Sequence, residues 1–359
     1  MPFRPRYTGL IEKYRDRLPI HDDTRIISLG EGNTPLIRLN NIPRELGKEI
    51  DIYVKYEGLN PTGSFKDRGM CMAVTKAVEE GSKAIICAST GNTSAAAAAY
   101  AARAGITAFV LIPEGKIAMG KLAQAMMHGA VVLQIRGNFD AGMQLVKDVA
   151  EQAPVTIVNS INPFRLQGQK TAAFEIIEEL ERAPDYHCLP VGNAGNITAH
   201  WMGYSEYFEH GIVNDRPQMV GYQASGAAPF LRGEMVDNPE TVATAIRIGH
   251  PQSWDKAWKV KEESDGWFDE CSDAEILAAQ KLLAQKEGVF CEPASATSLA
   301  GALRDIESGK IPEGSTLVCT LTGHGLKDPD TAIAQSQGTV QTVDATLDAV
   351  RDAILAGMA

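Results

Sequence analysis

One lysine stands in a setting that could make it a nucleophile. Lys66 lies in the segment NPTGSFKDRGM (60–70), where Asn, Pro, Gly and Ser form a turn just ahead of it. A lysine amine becomes reactive when its pKa is lowered or when it is held as an imine. Asp67 and Arg68 follow in the first turn of a predicted helix, so a solvated surface lysine is the ordinary alternative. The spacing alone does not decide between the two readings.

Two further segments carry groups that bind anions. CASTGNTS (87–94) combines backbone N–H groups with three hydroxyls, those of Ser89, Thr90 and Thr93, whereas a helix cap would need only one such side chain. VGNAGNI (191–197) has two glycines that let successive N–H groups converge on an anion. Its spacing is not G-x-G-x-x-G, and the next strand does not end in an acid for a ribose hydroxyl. We therefore predict a phosphate site there rather than a dinucleotide site.

A fourth segment, TLTGHG (320–325), ends the last predicted strand. The hydroxyl of Thr322 could bond a buried heteroatom, although Thr-Gly is also common turn chemistry. None of the seven histidines has a partner at metal-ligand spacing, and no G-x-S-x-G elbow is present. We expect neither a metal site nor a serine triad.

The elements that must position these segments alternate between apolar strands and helices. Strands are predicted at 51–57, 83–88, 107–112, 130–135, 156–159, 186–191, 218–223 and 315–321. Such continuous apolar runs are typical of parallel sheets covered on both faces, which bind ligands at the carboxyl ends of their strands. The pattern predicts an α/β fold with parallel-rich sheets flanked by helices. We expect a small domain of residues 56–155, a large domain of residues 1–55 and 156–359, and a packing helix within 343–358.

Composition excludes several classes of protein. The 359 residues carry a net charge of -11, so no basic surface for nucleic acid is expected. The six cysteines are scattered without a CxxC pair, which predicts buried, reduced thiols. No apolar run reaches membrane-spanning length, and the N-terminus lacks the apolar core of a signal peptide. We expect a cytoplasmic protein without membrane contact.

In combination, these segments resemble the threonine synthases, a family of fold type II pyridoxal phosphate enzymes. PTGSFKDRG and STGN mark the fold type broadly, while NPTGSFKDRGM with VGNAGNITAHW and TLTGHGLKDP is far more specific to the family. Further matching blocks include EGNTPL (31–36), VNSINPFRLQGQKTAAFE (158–175) and EGVFCEPASA (287–296). The resemblance implies a two-lobed fold like that of tryptophan synthase β, a homodimer, and lyase activity with pyridoxal 5′-phosphate as cofactor.

The resemblance also implies roles for individual residues. Lys66 would carry the cofactor covalently and transfer protons, Asn92 would lie against its 3-oxygen, and Thr322 would meet its pyridine nitrogen. The cofactor's 5′-phosphate would lie on the loop formed by Gly192, Asn193, Ala194, Gly195 and Asn196. Asp67 and Arg68 would hold the lysine loop rather than react.

The implied substrate is O-phospho-L-homoserine, which reacts with water to give L-threonine and phosphate as the last step of threonine biosynthesis. The substrate carboxylate would bind the hydroxyls of Ser89, Thr90 and Thr93. A second anion site would take the substrate phosphate and would include Lys121, Asn159, Ser160 and, as the leading candidate, Arg165. Solvated surface charge is the alternative reading of Lys121 and Arg165.

Other functions stay open at this point. A threonine or serine dehydratase of the same fold would need no second phosphate site, so its activity on free L-threonine or L-serine would distinguish it. A cysteine synthase matches the blocks less well. A binding protein derived from this fold would be expected to have lost the lysine, and an oxidoreductase would need the missing ribose acid. We expect no regulation through an N-terminal extension that binds S-adenosylmethionine.

Overall fold

The computed structural model describes residues 6–114, 119–136, 139–336 and 340–358, with the backbone alone at 119–121 and 139–143. Within these ranges the strands form two sheets, one of six strands and one of four. The strands are β1 Leu36–Arg38, β2 Asp51–Tyr56, β3 Ala84–Ala88, β4 Thr107–Pro113, β5 Val131–Ile135, β6 Val155–Ile157, β7 Tyr186–Pro190, β8 Gln218–Ala224, β9 Trp267–Cys271 and β10 Thr316–Leu321.

The six-stranded sheet has the order β1-β2-β10-β7-β8-β9, and the four-stranded sheet has the order β5-β4-β3-β6. All pairs are parallel except β1 with β2. Helices connect and cover the strands, as parallel pairing requires. They are α1 Leu10–Lys13, α2 Asn41–Leu46, α3 Lys66–Glu79, α4 Asn92–Ala104, α5 Met119–Met127, α6 Phe139–Gln152, α7 Pro163–Leu180, α8 Gly195–Glu209, α9 Pro229–Arg232, α10 Trp254–Glu263, α11 Asp273–Leu282, α12 Pro293–Glu307, α13 Pro329–Gln335 and α14 Leu347–Met358.

The eight strands predicted from apolar runs all form, with ends that differ by at most two residues. Two strands were missed, β1 and β9. β1 has only three residues and lies at an edge of its sheet, and β9 (WFDEC) contains two acids at half-buried positions. A three-residue strand is too short to form an apolar run, and the two adjacent acids interrupt the run in β9.

Glycines bring three helices unusually close together. A Cβ atom on Gly168 of α7 would lie 1.8 Å from the carbonyl oxygen of Arg68 in α3, and one on Gly203 of α8 would lie 2.4 Å from the carbonyl oxygen of Lys170 in α7. Only glycine allows backbones to approach so closely. The packing places the start of α7 beside the start of α3, and therefore Arg165 near Lys66.

A buried ion network supports the same junction. The Arg68 guanidinium donates to Glu57 and to Glu175 over distances of 2.6–2.8 Å, and Lys55 Nζ lies 2.8 Å from Glu175. All four side chains are buried. The two cations and two anions balance in charge, as buried charges must when no water reaches them. Arg68 therefore holds α3 in place, in agreement with its expected supporting role.

The domain division and the C-terminal helix differ in how far the structure bears on them. The proposed division into residues 56–155 and the remainder stays a prediction; the four-stranded sheet contains β3 to β6 and so runs to Ile157. The C-terminal helix is confirmed as α14, but the assigned packing role is wrong for the single subunit. None of the described side chains of α14 is buried, and Ile354 and Leu355 are each 57% exposed.

The cysteine prediction is confirmed, because all six thiols are buried and unpaired. In the described ranges, none of the helices combines the length and hydropathy that a bilayer crossing requires.

Candidate active site

Three of the predicted segments meet at the carboxyl edge of the six-stranded sheet. Lys66 follows β2, Thr322 follows β10, and the 192–196 loop follows β7. The loop before Lys66 also pairs with the segment after β10, since Phe65 N–H donates to Thr322 O over 2.9 Å and His324 N–H donates to Gly63 O over 2.9 Å. The backbone itself thus holds the lysine and the threonine side by side.

Lys66 has the environment of a reactive amine. It is half-buried, and its Nζ lies 4.3 Å from the centre of the Phe65 ring. Burial and the positive charge of Arg165 lower the pKa of Lys66 to about 7, against a smaller opposing effect of Glu292. A lysine in water has a pKa near 10.4. A substantial fraction of the amine is therefore neutral, and nucleophilic, at neutral pH.

Asp67 secures the turn ahead of the lysine. Its Oδ2 accepts hydrogen bonds from the backbone N–H and the hydroxyl of Thr62, at 3.0 and 2.9 Å. Lys327 Nζ donates to the carbonyl oxygen of the same Thr62 over 3.1 Å and to Gln124 Oε1 over 2.6 Å. These contacts hold the loop that carries Lys66 from both sides. The role of Lys327 was missed from sequence, because its partners lie more than 200 residues away.

The 192–196 loop is built to receive an anion. α8 begins at Gly195 without a side-chain cap, and Ala194 adopts a left-handed φ of 62°. Inside the described part of the chain, none of the backbone N–H groups of residues 192–196 donates a hydrogen bond. Free N–H groups at a helix start, reinforced by the helix dipole, favour a phosphate.

Side chains and neighbouring backbone hold this loop rigid. Asn196 Nδ2 donates to Pro190 O over 2.7 Å, and Ser253 N–H donates to Asn193 O over 3.1 Å. A Cβ atom on Gly192 would lie 3.1 Å from Ile246 Cα, so the position has little room for a side chain. Asn193 and Asn196 therefore fix the conformation of the loop, and the backbone N–H groups of the loop remain available for a ligand.

Thr322 presents a neutral hydroxyl in a buried setting. Its Oγ lies 2.9 Å from Ser295 Oγ, and the Ser295 hydroxyl in turn accepts from Gly323 N–H over 2.8 Å. Both side chains are buried. Ser295 was missed from sequence, although it lies in the EPASA block that starts α12. A hydroxyl pair here can bond a ring nitrogen without supplying a negative charge.

Asn92, at the start of α4, faces this segment from the other sheet. Its Nδ2 donates to both carboxylate oxygens of Glu292, at 3.1 and 3.3 Å. Burial raises the pKa of the Glu292 carboxyl, and hydrogen bonding to Asn92 opposes the shift. Sequence reasoning assigned Glu292 no role. The pair shows that the two sheets converge on one cleft.

The predicted carboxylate loop lies between β3 and α4. Ser89, Thr90 and Thr93 are all half-buried. The Ser89 hydroxyl accepts from Gly91 N–H over 3.2 Å, while the hydroxyls of Thr90 and Thr93 make no hydrogen bond to the described residues. Two hydroxyls without partners next to Asn92 agree with a binding loop, beyond what helix capping needs.

Arg165 is the most unusual charge in the cleft. It is 3% exposed, its Nη1 donates to Val158 O over 3.3 Å, and its Nε has no hydrogen-bond partner. No carboxylate of the described residues lies within ion-pair distance of it. Burial lowers the pKa of Arg165 to about 10. The alternative of a solvated surface charge is therefore wrong for Arg165.

The other residues predicted to bind the substrate phosphate are Asn159, Ser160 and Lys121. Asn159 exchanges two hydrogen bonds with the backbone of Ala88, both of 3.1 Å, and so extends the pairing of β6 with β3. Ser160 is half-buried beside it. Lys121 lies in α5, and its side chain is outside the described residues.

Two surface cavities lie away from the cleft that contains Lys66. One of about 500 Å³ is lined by Asp51 and Gly314, and one of about 580 Å³ by Tyr186 and Gln218. These residues stand at the amino ends of the strands, at the edge opposite to Lys66. None of the predicted site residues lines either cavity.

Comparison with known proteins agrees with this geometry. A family model described as pyridoxal-phosphate dependent enzyme matches residues 27–323. Threonine synthase from Synechocystis is 58% identical over 336 residues, which cover 94% of this chain and 87% of that relative. Threonine synthase from Mycobacterium tuberculosis is 60% identical over 328 residues, which cover 91% of each chain. The chain belongs to the pyridoxal-phosphate-dependent threonine synthases. It is therefore a lyase that uses pyridoxal phosphate, as the sequence resemblance implied.

The family extends to distant organisms and its fold is shared more widely. Threonine synthase from Methanocaldococcus jannaschii is 52% identical over 343 residues, which cover 93% of this chain and 84% of that relative. Maize serine racemase superposes with a TM-score of 0.72 at 21% identity, over 98% of both chains. A threonine deaminase from Solanum lycopersicum gives 0.71 at 21% identity, over 85% of this chain and 87% of that chain. These structures confirm the predicted fold class.

Proposed function

We propose that this cleft converts O-phospho-L-homoserine and water to L-threonine and phosphate. The observation that carries the proposal is Arg165, a buried guanidinium that finds no carboxylate partner among the described residues and that lies near enough to Lys66 to lower its pKa. A buried, unpaired cation is costly unless an anion joins it. The substrate's phosphate supplies that anion, at a site distinct from the 192–196 loop.

The remaining groups fit pyridoxal phosphate. Lys66 would hold it covalently, the N–H groups of residues 192–196 its phosphate, Asn92 its 3-oxygen and Thr322 its ring nitrogen. When bound, the cofactor supplies an electron sink for the substrate's α-carbon, made milder by the neutral hydroxyl at the nitrogen. The free N–H groups of the loop and the paired hydroxyls of Thr322 and Ser295 support this placement.

Lys66 would transfer protons of the substrate, and the loop with Ser89, Thr90 and Thr93 would bind its carboxylate. The neutral Nζ of Lys66 would take the proton from Cα. Loss of a proton from Cβ would then expel phosphate from Cγ, and Cγ would gain a proton to become the methyl carbon. After water has added at Cβ, Lys66 would return a proton to Cα. The hydroxyls of Thr90 and Thr93, with Ser89, hold the substrate carboxylate. Arg165 holds the phosphate as it leaves Cγ, with further contacts from the remaining predicted ligands, Lys121, Asn159 and Ser160.

The test is product formation together with one substitution. Purified protein loaded with cofactor should form threonine and phosphate in equal amounts from O-phospho-L-homoserine. Arg165→Ala should lower kcat/KM roughly 30- to 5000-fold, the loss that follows removal of one partner of a buried charge pair. Arg136→Ala, at a side chain 92% exposed, is the matched control and should leave it unchanged.

Two outcomes would refute the assignment. Normal turnover by Arg165→Ala would remove Arg165 from the phosphate site. Formation of 2-oxo acids from L-threonine or L-serine, without threonine from the phosphorylated substrate, would favour the dehydratase function instead.

We also propose that the protein acts in the cytoplasm as a homodimer, without membrane or nucleic acid partners. Six buried, unpaired cysteines agree with a reducing compartment. Self-association is supported by the exposed apolar side chains of α14, among them Leu347 and Ile354. Light scattering on the full chain tests the dimer, and a mass of one subunit would refute it.

A further inference from the structure

Glu292 is a buried carboxylate in the cleft to which the proposed chemistry assigns no task. It is 5% exposed and lies immediately before α12, yet its side chain does not cap that helix. No cation of the described residues lies within ion-pair distance of it, and its two oxygens both accept from Asn92 Nδ2. Burying a carboxylate costs free energy, and one amide partner does not offset that cost, so a contribution to stability does not explain why Glu292 is buried here.

The surrounding backbone is shaped to admit this carboxylate. A Cβ atom on Gly323 would lie 2.4 Å from Glu292 Oε1, so any side chain at 323 would displace the carboxylate. The backbone N–H of Glu292 donates to Gly323 O over 3.0 Å, which ties it to the segment that carries Thr322. The carboxylate therefore has a fixed position relative to the proposed cofactor site.

The hydrogen bond to Asn92 spans the cleft between the two sheets. Asn92 begins α4, which follows β3 of the four-stranded sheet, whereas Glu292 stands beside β10 of the six-stranded sheet. Burial raises the pKa of Glu292, with a small contribution from Asp328, and the hydrogen bond from Asn92 and the charges of Lys327 and Lys66 oppose the shift. The charges that face the carboxylate thus include the proposed catalytic lysine.

A carboxylate imposes one orientation on the amide. Asn92 turns Nδ2, and not Oδ1, toward both oxygens of Glu292, and a carboxylate oxygen that only accepts hydrogen bonds holds the amide in that orientation. The second N–H of the same nitrogen then points in a fixed direction. Without this partner, the amide could rotate by half a turn and present its oxygen, which would repel an ionised 3-oxygen on the cofactor.

We propose that Glu292 is a positioning residue, which fixes the Asn92 amide so that its second N–H donates to the cofactor's 3-oxygen. The inference rests on the proposed placement of the cofactor against Asn92. A donor held at that oxygen stabilises its ionised form, and so it sets both the visible absorbance of the bound cofactor and the affinity for it.

The test compares Glu292→Gln with the wild type by three measurements: the visible spectrum of the bound cofactor, its dissociation constant, and kcat and KM separately. Glutamine has nearly the same shape but can donate as well as accept. We expect a changed balance of absorbing forms, cofactor binding about tenfold weaker, and kcat lower by about tenfold with KM within threefold, the effect of losing one oriented hydrogen bond. Glu307→Gln, at the exposed end of α12, is the matched control and should change none of these.

A double-mutant cycle separates positioning from a general structural effect. If Glu292 acts through Asn92, adding Glu292→Gln to Asn92→Ala should change the spectrum and the affinity no further. Glu292→Asp keeps an acceptor-only side chain and should restore part of the wild-type spectrum. Equal thermal unfolding temperatures of the cofactor-free proteins would show that folding is not the cause.

Several results would overturn the proposal. They are an unchanged spectrum and affinity in Glu292→Gln, additive effects in the cycle, or a loss of stability in the cofactor-free variant that accounts for the change. The spectrum and affinity are measured without substrate, so they decide the role of Glu292 even if the wild type fails to make threonine. A wild type that fails to bind the cofactor would instead overturn the placement on which the inference rests.

Discussion

Replacing Glu175 by glutamine should destabilise the protein strongly, because it removes one of two anions from a buried ion network. Glu175 accepts from Arg68 at 2.8 and 2.6 Å, lies 2.8 Å from Lys55 Nζ, and accepts from Asn33 N–H at 2.8 Å. Only Glu57 would remain to balance the two cations. The neighbouring cations, Arg68 first, hold the pKa of Glu175 far below its ordinary value despite burial, so the native network contains the anion.

The expected magnitude follows from the burial of all partners. Breaking a buried ion pair by removing one member costs about 3–5 kcal/mol, because an uncompensated charge is left behind. A domain of some 150–250 residues loses about 2–4 °C in unfolding temperature per kcal/mol, so a fall of roughly 6–20 °C is expected. Lys55→Met combined with Glu175→Gln restores neutrality and should be less destabilised than the two single variants added together.

Thermal unfolding followed by circular dichroism is the assay. Glu179→Gln makes the same chemical change at an exposed position of α7, and it should shift the free energy of unfolding by less than about 0.5 kcal/mol. An unfolding temperature of Glu175→Gln within 2 °C of the wild type would refute the reasoning, as would equal losses in the two glutamine variants. Additive losses on combination with Lys55→Met would show that the charges are not coupled.

Two further predictions concern the reactive lysine and its support. Pyridoxal phosphate should attach to cofactor-free protein at a rate that rises with pH as Lys66 loses its proton, with a midpoint near pH 7. Arg165→Ala should shift this midpoint upward, because the positive charge of Arg165 lowers the pKa of Lys66. A midpoint near 10 in the wild type would refute the lowered pKa. Gly168→Ala should cost about 1–3 kcal/mol or more and raise KM, since its Cβ would meet Arg68 O at 1.8 Å and push α7 from α3. Gly357→Ala, with open space around it, is the control, and equal stability of the two variants would contradict the close packing.

Local sequence determined most of the strands and also which functional groups, an amine, a hydroxyl and a glycine-containing loop, are present at the site. Apolar runs predicted eight strands, six of which lie inside their sheets, where burial on both faces leaves a continuous apolar sequence. Lys66, Thr322 and the 192–196 loop were placed correctly at strand ends, since the carboxyl edge of a parallel sheet is where loops enter helices. β1 and β9 were missed because β1 has only three residues and two acids interrupt β9.

Tertiary structure alone decided which buried charged and polar side chains become hydrogen-bond or ion-pair partners. Asn92 and Glu292 are 200 residues apart, and Thr322 and Ser295 belong to different elements, so no local pattern pairs them. Whether Arg165 is solvated or buried without a counter-ion likewise depends on α3 and α7 packing closely through Gly168. Periodicity in a sequence records which face of an element is buried, but the partners of a buried polar group are set by the elements that pack against it.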